Sequence, residues 1–191
     1  MDTRPLTSGR VLLMLTKRNI FLIGPMGSGK TAVGRHLARA LKFPFHDSDA
    51  EIESRTGVDI AFIFDKEGES GFRVREHEVI ELLTRLEPIV LATGGGAVLR
   101  ADNRQALATR GCVVYLQTSV RQQLERTRHG RHRPLLLTGD PRARLDELML
   151  ERAPLYAEIA DITVSTDGRR VQSVAEDVQR LLQERPIPAA L

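Results

Sequence analysis

A glycine-rich segment that follows a short apolar run constrains the fold of this chain more than any other feature. Residues 24–31, with the sequence GPMGSGKT, fit the phosphate-binding pattern G-x-x-x-x-G-K-[ST] at every fixed position. The apolar run at 19–23 predicts a strand, and apolar residues after the glycines recur at helical spacing. Those residues are Val33, Leu37, Ala38 and Leu41. A strand, a glycine loop and a helix in this order predict a site for the phosphates of a nucleoside triphosphate.

The residues of this loop have distinct chemical roles. Glycines allow backbone N–H groups to turn inward around a phosphate, and the positive end of the following helix attracts the anion. Lys30 is placed to bring a charge to the β- and γ-phosphates, and the Thr31 hydroxyl can reach Mg²⁺. We therefore expect the ATP phosphates to be bound by Gly27, Ser28, Gly29, Lys30, Thr31 and Ala32.

The same letters also fit a second, looser pattern. Residues 27–32 match the dinucleotide-binding sequence G-x-G-x-x-A, and Asp47 lies about 20 residues further on, where a ribose-binding acid is expected. A dinucleotide-binding fold has no use for a lysine aimed at a terminal phosphate. The Lys30–Thr31 pair and the spacing back to Gly24 therefore favour the triphosphate interpretation.

The size and composition of the chain limit the remaining possibilities. At 191 residues it is long enough for one compact domain with a sizeable core. Its one cysteine, Cys112, excludes an internal disulfide framework and a cysteine-based zinc site, and its apolar neighbours predict a buried thiol. No apolar run approaches the ~18 residues needed to span a bilayer, and the run at 11–15 is too short for a signal peptide, so we expect a cytoplasmic protein. We expect a poorly ordered extension at 1–18, one domain at 19–185 and a tail at 186–191.

Alternating strand and helix patterns predict the fold class. Apolar runs indicate strands near 19–23, 43–47, 89–92, 112–117 and 162–164. Helical patterns lie near 33–41, 49–86 (as two or three helices), 99–110, 119–128, 143–158 and 171–183, with a loop at 129–142. Continuous apolar strands separated by helices indicate an α/β protein whose parallel sheet is covered on both faces.

Two acids follow the second predicted strand. Asp47 and Asp49 are the nearest candidates for a magnesium shell, because the strand at 89–92 ends in Thr93 and offers no acid. Residues two apart in an extended stretch point the same way, and two carboxylates on one side of a cleft repel unless a cation or a hydroxyl separates them. One acid for magnesium and one for an acceptor hydroxyl meets this condition. The alternative is that Asp49 is a helix N-cap and Asp47 a turn former.

A carboxylate lies on the apolar face of the helix that precedes Pro88. Glu76 shares this face with Phe72, Val79, Leu83 and Leu86. A carboxylate there is costly unless it is paired or protonated, and Arg73 is close enough to pair with it. A paired arginine near a cleft can still present its planar fork to a carboxylate or phosphate of a substrate. The alternative is an exposed surface pair, with the apolar stripe beginning later.

Two further segments can contribute to a site. Gly94, Gly95 and Gly96 directly follow the strand at 89–92, so the backbone can approach a ligand there, although an ordinary turn is the alternative. The segment 126–134, RTRHGRHRP, concentrates positive charge. It can deliver a cation to a transferring phosphoryl group, or it can form a nucleic-acid patch, which its lack of aromatic residues disfavours.

These motifs occur in one order along the chain. After the glycine loop come Asp47-Ser48-Asp49, Gly71-Phe72-Arg73 with Glu76, Gly94-Gly95-Gly96-Ala97, Arg133-Pro134-Leu135 and Arg152-Ala153-Pro154-Leu155-Tyr156. In this combination the chain resembles the shikimate kinase family over about residues 19–183. The resemblance implies a three-layer P-loop kinase fold with a five-stranded parallel sheet, a helical substrate-binding region near 48–77 and a mobile lid near 126–142.

The resemblance also implies an activity and roles for individual residues. The enzyme would transfer the γ-phosphoryl group of ATP, with Mg²⁺, to the 3-hydroxyl of shikimate, on the route to chorismate and the aromatic amino acids. Lys30, Asp49 and Arg133 would be catalytic, with Asp49 holding the acceptor hydroxyls and Arg133 approaching the transferring phosphoryl group. Thr31 and Asp47 would hold magnesium. Shikimate would be bound by Asp49, Arg73, Glu76, Gly94, Gly95, Gly96 and Arg152.

Some expectations around the nucleotide and the partners stay open at this point. Arg126 would flank the adenine and Arg133 on the lid would also contact ATP. Residues 168–171, GRRV, however, lack the asparagine and proline character of the adenine-flanking loop. We expect a monomer that binds neither nucleic acid nor a membrane. Three alternatives are another small-metabolite kinase such as a gluconate kinase, a nucleotide-dependent nucleic-acid binder, and a non-catalytic ATP-binding protein. The last would be expected to lack a key acid, whereas Asp47 and Asp49 are both present.

Overall fold

Parallel strands form one sheet at the centre of the structure, a computed structural model that describes residues 19–128 and 140–184. The strands are β1 (Asn19–Ile23), β2 (Phe45–Asp47), β3 (Val90–Ala92), β4 (Gly111–Gln117) and β5 (Ile162–Ser165). Their order in the sheet is β2-β3-β1-β4-β5, and every neighbouring pair is parallel. The register pairs Ile20 with Val90 on one side and with Cys112 on the other. The predicted five-stranded parallel sheet is confirmed. The predicted extension at 1–18 and tail at 186–191 lie outside the described residues.

Seven α-helices connect or follow the strands in the described part of the chain. They are α1 (Lys30–Leu41), α2 (Ser48–Thr56), α3 (Ile60–Leu83), α4 (Ala101–Arg110), α5 (Val120–Thr127), α6 (Pro141–Ile159) and α7 (Val171–Glu184). A short 3-10 helix, Ala97–Leu99, precedes α4. Ser119 caps α5 as expected, because its hydroxyl accepts a hydrogen bond from the Gln122 backbone N–H at 3.3 Å. No helix in residues 19–128 and 140–184 is long and apolar enough to cross a membrane.

The two faces of the sheet bury alternate residues of β1. Ile20 and Leu22 belong to a core cluster with α1 and α7, whereas Phe21 and Ile23 belong to a second cluster with α3 and α6. Successive side chains of a strand point to opposite faces, so one strand contributes to both clusters. The result is the predicted three-layer arrangement of helices, sheet and helices. Cys112 lies buried in the first cluster, as its apolar neighbours indicate.

The structure differs from the sequence prediction in the long helix before β3. The periodic pattern predicts a helix that reaches Leu86, but α3 ends at Leu83 and Leu86 is 41% exposed. Leu86 is therefore not part of the buried stripe. Helix α3 is also interrupted at Gly68, where φ is 70° and ψ is −177°. An L-residue rarely adopts a positive φ of this kind, so glycine permits the break.

The start of α6 also differs from prediction. The sequence pattern predicts a loop through 142 and a helix from 143, but α6 begins at Pro141. Asp140 caps this helix, because its carboxylate accepts a hydrogen bond from the Arg142 backbone N–H at 2.9 Å. Proline fits the first helical position, since its missing N–H would have no partner within the helix.

A buried amide joins the start of β1 to the turn before β3. Asn19 is 0% exposed, and its side-chain oxygen accepts from the Ile89 backbone N–H at 3.1 Å. Its amide nitrogen donates to the Thr84 carbonyl, also at 3.1 Å. One side chain therefore satisfies two backbone groups about 70 residues away in sequence and fixes how α3 returns to the sheet.

Replacing Asn19 by Ala should lower the free energy of unfolding by about 2–3 kcal/mol, because it leaves a buried N–H and a buried carbonyl without partners. Urea unfolding of the two proteins measures this difference. The control is Gln172→Ala on the exposed face of α7, which should stay within about 0.5 kcal/mol of the unchanged chain. Equal stabilities for both variants would contradict this account of Asn19.

Candidate active site

A cleft of about 590 Å³ opens at the carboxyl ends of the central strands. In open α/β sheets, ligands bind at this edge because loops from neighbouring strands meet there. The lining side chains come from the glycine loop, the acids after β2, helix α3, the glycines after β3 and helix α6. Residues predicted from the sequence that line it include Lys30, Thr31, Asp47, Asp49, Arg73, Glu76, Gly94, Gly95, Gly96, Arg126 and Arg152.

The glycine loop has the backbone conformation that its sequence requires. Gly27 and Gly29 have φ values of 76° and 89°, which L-residues rarely adopt, and α1 begins immediately after Gly29. The ammonium of Lys30 donates to the carbonyls of Gly24 at 2.7 Å and Pro25 at 2.8 Å. The charge of Lys30 is therefore held against the loop, at the N-terminus of a helix, where an anion is favoured.

Asp47 connects the glycine loop to helix α2. One of its oxygens accepts a hydrogen bond from the Thr31 hydroxyl at 2.7 Å, and the other accepts from the backbone N–H of Asp49 at 3.1 Å. Asp47 is thus the N-cap of α2, and Asp49 lies in the first turn of that helix. The alternative that made Asp49 the N-cap is wrong. The assumption that both acids lie in one extended stretch is also wrong, because the helix begins at Ser48.

The residues around Asp47 fit the chemistry of Mg²⁺ bound with a nucleotide. The hydroxyl of Thr31 and a carboxylate oxygen of Asp47 adjoin each other at the cleft. Mg²⁺ with nucleotides is usually held by one or two protein oxygens together with phosphate oxygens and water, rather than by a protein cage. Within residues 19–128 and 140–184 there is no group of three or more His, Cys, Asp or Glu side chains that could hold a metal alone.

Gly94 allows two carboxylates to approach the backbone closely. A Cβ at this position would lie 2.8 Å from Asp49 Oδ1 and would overlap Glu76 Oε1. Burial raises the pKa of Asp49 to about 7, with further contributions from the charges of Glu76 and Asp47, whereas Lys30 and Arg73 act against them. Asp49 therefore stands close to half-ionised near neutral pH, where it can accept a hydrogen bond or a proton from a hydroxyl.

Arg73 and Glu76 form the ion pair expected from their spacing on α3. Arg73 Nη1 donates to Glu76 Oε2 at 2.6 Å, and Glu76 is 0% exposed. The alternative of an exposed surface pair is therefore wrong. Burial raises the pKa of Glu76, and the charge and hydrogen bond of Arg73 oppose this shift. Arg73 also donates to Glu69 at 2.8 Å, a contact one helical turn earlier that the sequence argument missed. A Cβ at Gly96 would overlap the Arg73 guanidinium, so any other residue at 96 would displace this side chain.

Two buried polar atoms at this end of the cleft have no hydrogen-bond partner among residues 19–128 and 140–184. They are Arg152 Nε and Glu76 Oε1. Arg152 is 4% exposed, and Glu151 Oε2 lies 3.9 Å from its Nε. A buried guanidinium is costly unless its donors are satisfied. The arrangement fits an anionic ligand that also carries a hydroxyl group, since such a ligand can satisfy both atoms.

Arg126 lies at the opposite end of the cleft. Its guanidinium donates to the Gly27 carbonyl at 3.0 Å and to the Thr166 carbonyl at 2.8 Å. It therefore bridges the glycine loop and the segment after β5, and its role beside an adenine stays a prediction. Arg169 of the GRRV segment is paired with Asp177 of α7 at 2.7 Å. Arg133 lies outside the described residues, as does most of the predicted lid.

One wall of the cleft is apolar, and the sequence argument missed most of it. Ile60 and Phe64 are four residues apart on α3 and both line the cleft. The ring of Phe64 lies 4.8 Å from that of Phe72, measured between centroids. Phe72 was expected only in the core stripe, although it also lines the cleft. The i, i+4 spacing of Ile60 and Phe64 was the available signal. The wall suits the face of a small carbon ring.

Comparison with known proteins shows which family this chain belongs to. A family model described as "Shikimate kinase" matches residues 26–183. The chain belongs to the shikimate kinase family. Shikimate kinase from Vibrio campbellii is 55% identical over 172 residues, covering 90% of this chain and 100% of the relative. Shikimate kinase from Halorhodospira halophila is 56% identical over 171 residues, covering 90% of this chain and 97% of the relative.

Solved structures of this family are also similar. Shikimate kinase from Acinetobacter baumannii in complex with shikimate is 48% identical with a TM-score of 0.87, covering 90% of this chain and 96% of that one. The enzyme from Aquifex aeolicus is 34% identical with a TM-score of 0.74, covering 86% and 96%. A gluconokinase from Sinorhizobium meliloti is 19% identical with a TM-score of 0.60, covering 87% and 92%, and this likeness shows the fold alone.

The raised pKa of Asp49 makes a prediction about stability without ligands. Because the pKa is about 7 in the folded chain and near 3.9 in an unfolded chain, the unfolded chain loses its proton first as pH rises. This group therefore lowers the free energy of unfolding progressively between about pH 4 and pH 7. Asp49→Asn should remove that effect. Its stability relative to the unchanged chain should increase over this window, on the order of 1–3 kcal/mol.

Urea unfolding at several pH values between 4.5 and 7.5 checks this. The control is Asp65→Asn, which changes an exposed aspartate paired with Lys66 on α3. If the stability difference between Asp49→Asn and the unchanged chain does not vary with pH, the assigned environment of Asp49 is wrong.

Proposed function

We propose that this chain transfers the γ-phosphoryl group of ATP to the 3-hydroxyl of shikimate, producing ADP and shikimate 3-phosphate for chorismate and aromatic amino acid biosynthesis. The observation that carries the proposal is one cleft with a phosphate-binding loop at one end and, at the other, Arg73 with the buried Glu76 and Arg152. Membership of the shikimate kinase family and the similarity to a shikimate-bound structure support the same substrate.

The carboxylate and the acceptor hydroxyl of shikimate each have a proposed counterpart in the cleft. Arg73 and Arg152 hold the carboxylate, because guanidinium groups match carboxylate geometry and both are largely withdrawn from water. Glu76 orients Arg73, and the Gly95 backbone contributes at the same end. Asp49 accepts a hydrogen bond from the acceptor hydroxyl and can take its proton. Phosphoryl transfer through a loose transition state needs little base assistance, so positioning is the larger part of this role.

The nucleotide occupies the other end of the cleft. Backbone N–H groups of the glycine loop surround the phosphates, and Lys30 neutralises charge on the transferring group. Thr31 and Asp47 are the residues that would hold Mg²⁺, which neutralises phosphate charge when it is bound. Arg133 on the lid is proposed to approach the transferring phosphoryl group, and Arg126 is proposed to lie beside the adenine.

We also propose a monomeric, cytoplasmic enzyme that does not use nucleic acid. Arg126 and Arg169, two arginines near the nucleotide end, are engaged in intramolecular hydrogen bonds. A gluconate kinase is less well supported, because the gluconokinase neighbour shares only 19% identity. In addition, Arg73 and the buried Arg152 favour an acceptor that carries a carboxylate.

Arg152→Ala should lower kcat/KM for shikimate about 10- to 200-fold, because it removes charge-assisted hydrogen bonds to the carboxylate. A coupled assay of ADP formation at saturating ATP measures this. Arg144→Ala on the same helix is the control, since Arg144 is 40% exposed and pairs with Glu147 at the surface. Near-normal turnover in Arg152→Ala would refute the assignment.

Lys30→Ala should in turn lose most shikimate-dependent ADP formation at saturating substrates, by a factor on the order of 100 or more.

Gly96→Ala should raise KM for shikimate at least about tenfold, because the added methyl group displaces the Arg73 guanidinium and small misplacements of binding groups are costly. KM for ATP should change less than about twofold, since the three atoms nearest to the added methyl group all belong to Arg73. Steady-state kinetics with each substrate varied in turn tests this. A Gly96→Ala enzyme with unchanged KM for shikimate would contradict the proposed grip of Arg73 on the carboxylate.

A further inference from the structure

Tyr156 makes a buried contact that the proposed reaction does not yet use. It lies on α6 four residues after Arg152, is 0% exposed, and stacks on Tyr115 of β4 with ring centroids 5.0 Å apart. Its hydroxyl donates a hydrogen bond to the Gly95 carbonyl at 2.5 Å. A helix that contributes a substrate-binding arginine is thereby tied to the glycine segment after β3.

Gly95 lies between the glycine loop and the groups at the substrate end of the cleft. A Cβ on it would lie 3.4 Å from the Met26 backbone nitrogen and 3.6 Å from the Gly24 carbonyl oxygen, so its α-carbon faces the glycine loop. Its neighbours face the substrate end, since Gly94 adjoins Asp49 and Glu76, and Gly96 adjoins Arg73. The path of this backbone therefore sets the distance between the nucleotide loop and the substrate-binding groups.

The direction of the Gly95 carbonyl determines the direction in which the Gly96 N–H points. The peptide between Gly95 and Gly96 is trans, so its carbonyl and N–H point in opposite directions. Because the carbonyl is directed at Tyr156 in the core, the Gly96 N–H points to the other side. Gly96 lines the cleft and adjoins Arg73, which places its backbone at the substrate end. An N–H there can donate to an anionic substrate, whereas a carbonyl would repel it.

We propose that the Tyr156 hydroxyl is a positioning group that holds the Gly95 carbonyl away from the cleft and so presents the Gly96 N–H to shikimate. This inference rests on the proposed function. The same contact keeps the Arg152 helix at a fixed distance from the glycine segment. The positions of both the Gly96 N–H and Arg152, two groups proposed to bind shikimate, therefore depend on it. Burial also raises the pKa of the Tyr156 hydroxyl, which keeps it a donor over the whole working pH range.

The chain provides a matched control for this proposal. Its two tyrosines stack on each other, but the buried Tyr115 hydroxyl has no hydrogen-bond partner in the part of the chain that the structure describes. Tyr115→Phe therefore deletes the same atom from the same aromatic pair without releasing a backbone group. A role for Tyr156 that is only structural would affect stability and not the affinity for one substrate.

Steady-state kinetics of Tyr156→Phe and Tyr115→Phe, with each substrate varied, test the proposal. We expect Tyr156→Phe to raise KM for shikimate about tenfold, with kcat and KM for ATP changed less than about threefold. Tyr115→Phe should stay within about twofold of the unchanged enzyme in all three parameters. A Tyr156→Phe enzyme with normal KM for shikimate, or with both KM values raised equally, would overturn the proposal. If the unchanged enzyme does not phosphorylate shikimate, the proposed function itself fails.

A second measurement does not require Tyr156→Phe to fold. In the Tyr115→Phe chain labelled with 3-fluorotyrosine, the single fluorine resonance reports Tyr156. Saturating shikimate should shift this resonance, because substrate bound at the Gly96 N–H polarises the peptide that the hydroxyl contacts. A resonance that shikimate leaves unchanged would count against the proposal.

Discussion

The ion pair between Glu76 and Arg73 is the interaction on which the rest of this site depends. A fully buried carboxylate is tolerated because a guanidinium lies 2.6 Å away, and removing either partner of such a pair costs about 3–5 kcal/mol. The pair fills the space above the segment after β3, so a side chain at Gly94 or Gly96 would displace one of the charged groups. The glycines at 94 and 96 are thus a steric consequence of placing these charges next to the sheet, whereas Gly95 adjoins the glycine loop instead.

The same arrangement explains how one cleft can bind two different anions, one at each end. Lys30 and the glycine loop provide positive potential at one end, and Arg73 and Arg152 provide it at the other. Asp47 and Asp49 lie between them, where a metal ion and a hydroxyl group can each share their charge. Charges held in fixed positions in a partly dry cleft need little reorganisation during phosphoryl transfer, which is the main way such enzymes accelerate the reaction.

Local patterns in the sequence predicted much of this arrangement, because they depend on short-range geometry. The glycine loop, the alternation of strands and helices, and the Arg73–Glu76 pair all follow from spacings of a few residues. Contacts between distant segments could not be predicted in this way. The spacing of apolar residues shows which face of a helix or strand is buried but not what covers it. The hydrogen bonds of Tyr156 to Gly95 and of Asn19 to Ile89 could therefore not be predicted from the sequence.

Errors in the sequence prediction also have physical causes. The pattern extended α3 to Leu86 because apolar periodicity continues beyond Leu83, where the helix ends, and Leu86 is left exposed. Asp47 and Asp49 were assigned one conformation, although a single aspartate could end the strand and cap the helix at once. In both cases two local preferences competed, and the tertiary structure decided between them.

Phosphorus-31 NMR of a reaction containing the purified chain, ATP, Mg²⁺ and shikimate tests the central claim most directly. The account predicts that the γ-phosphate signal is replaced, one for one, by a phosphate monoester signal while ADP accumulates, and that both changes require shikimate. ADP appearing together with free inorganic phosphate and no monoester, or no change in the ATP signals, would contradict it.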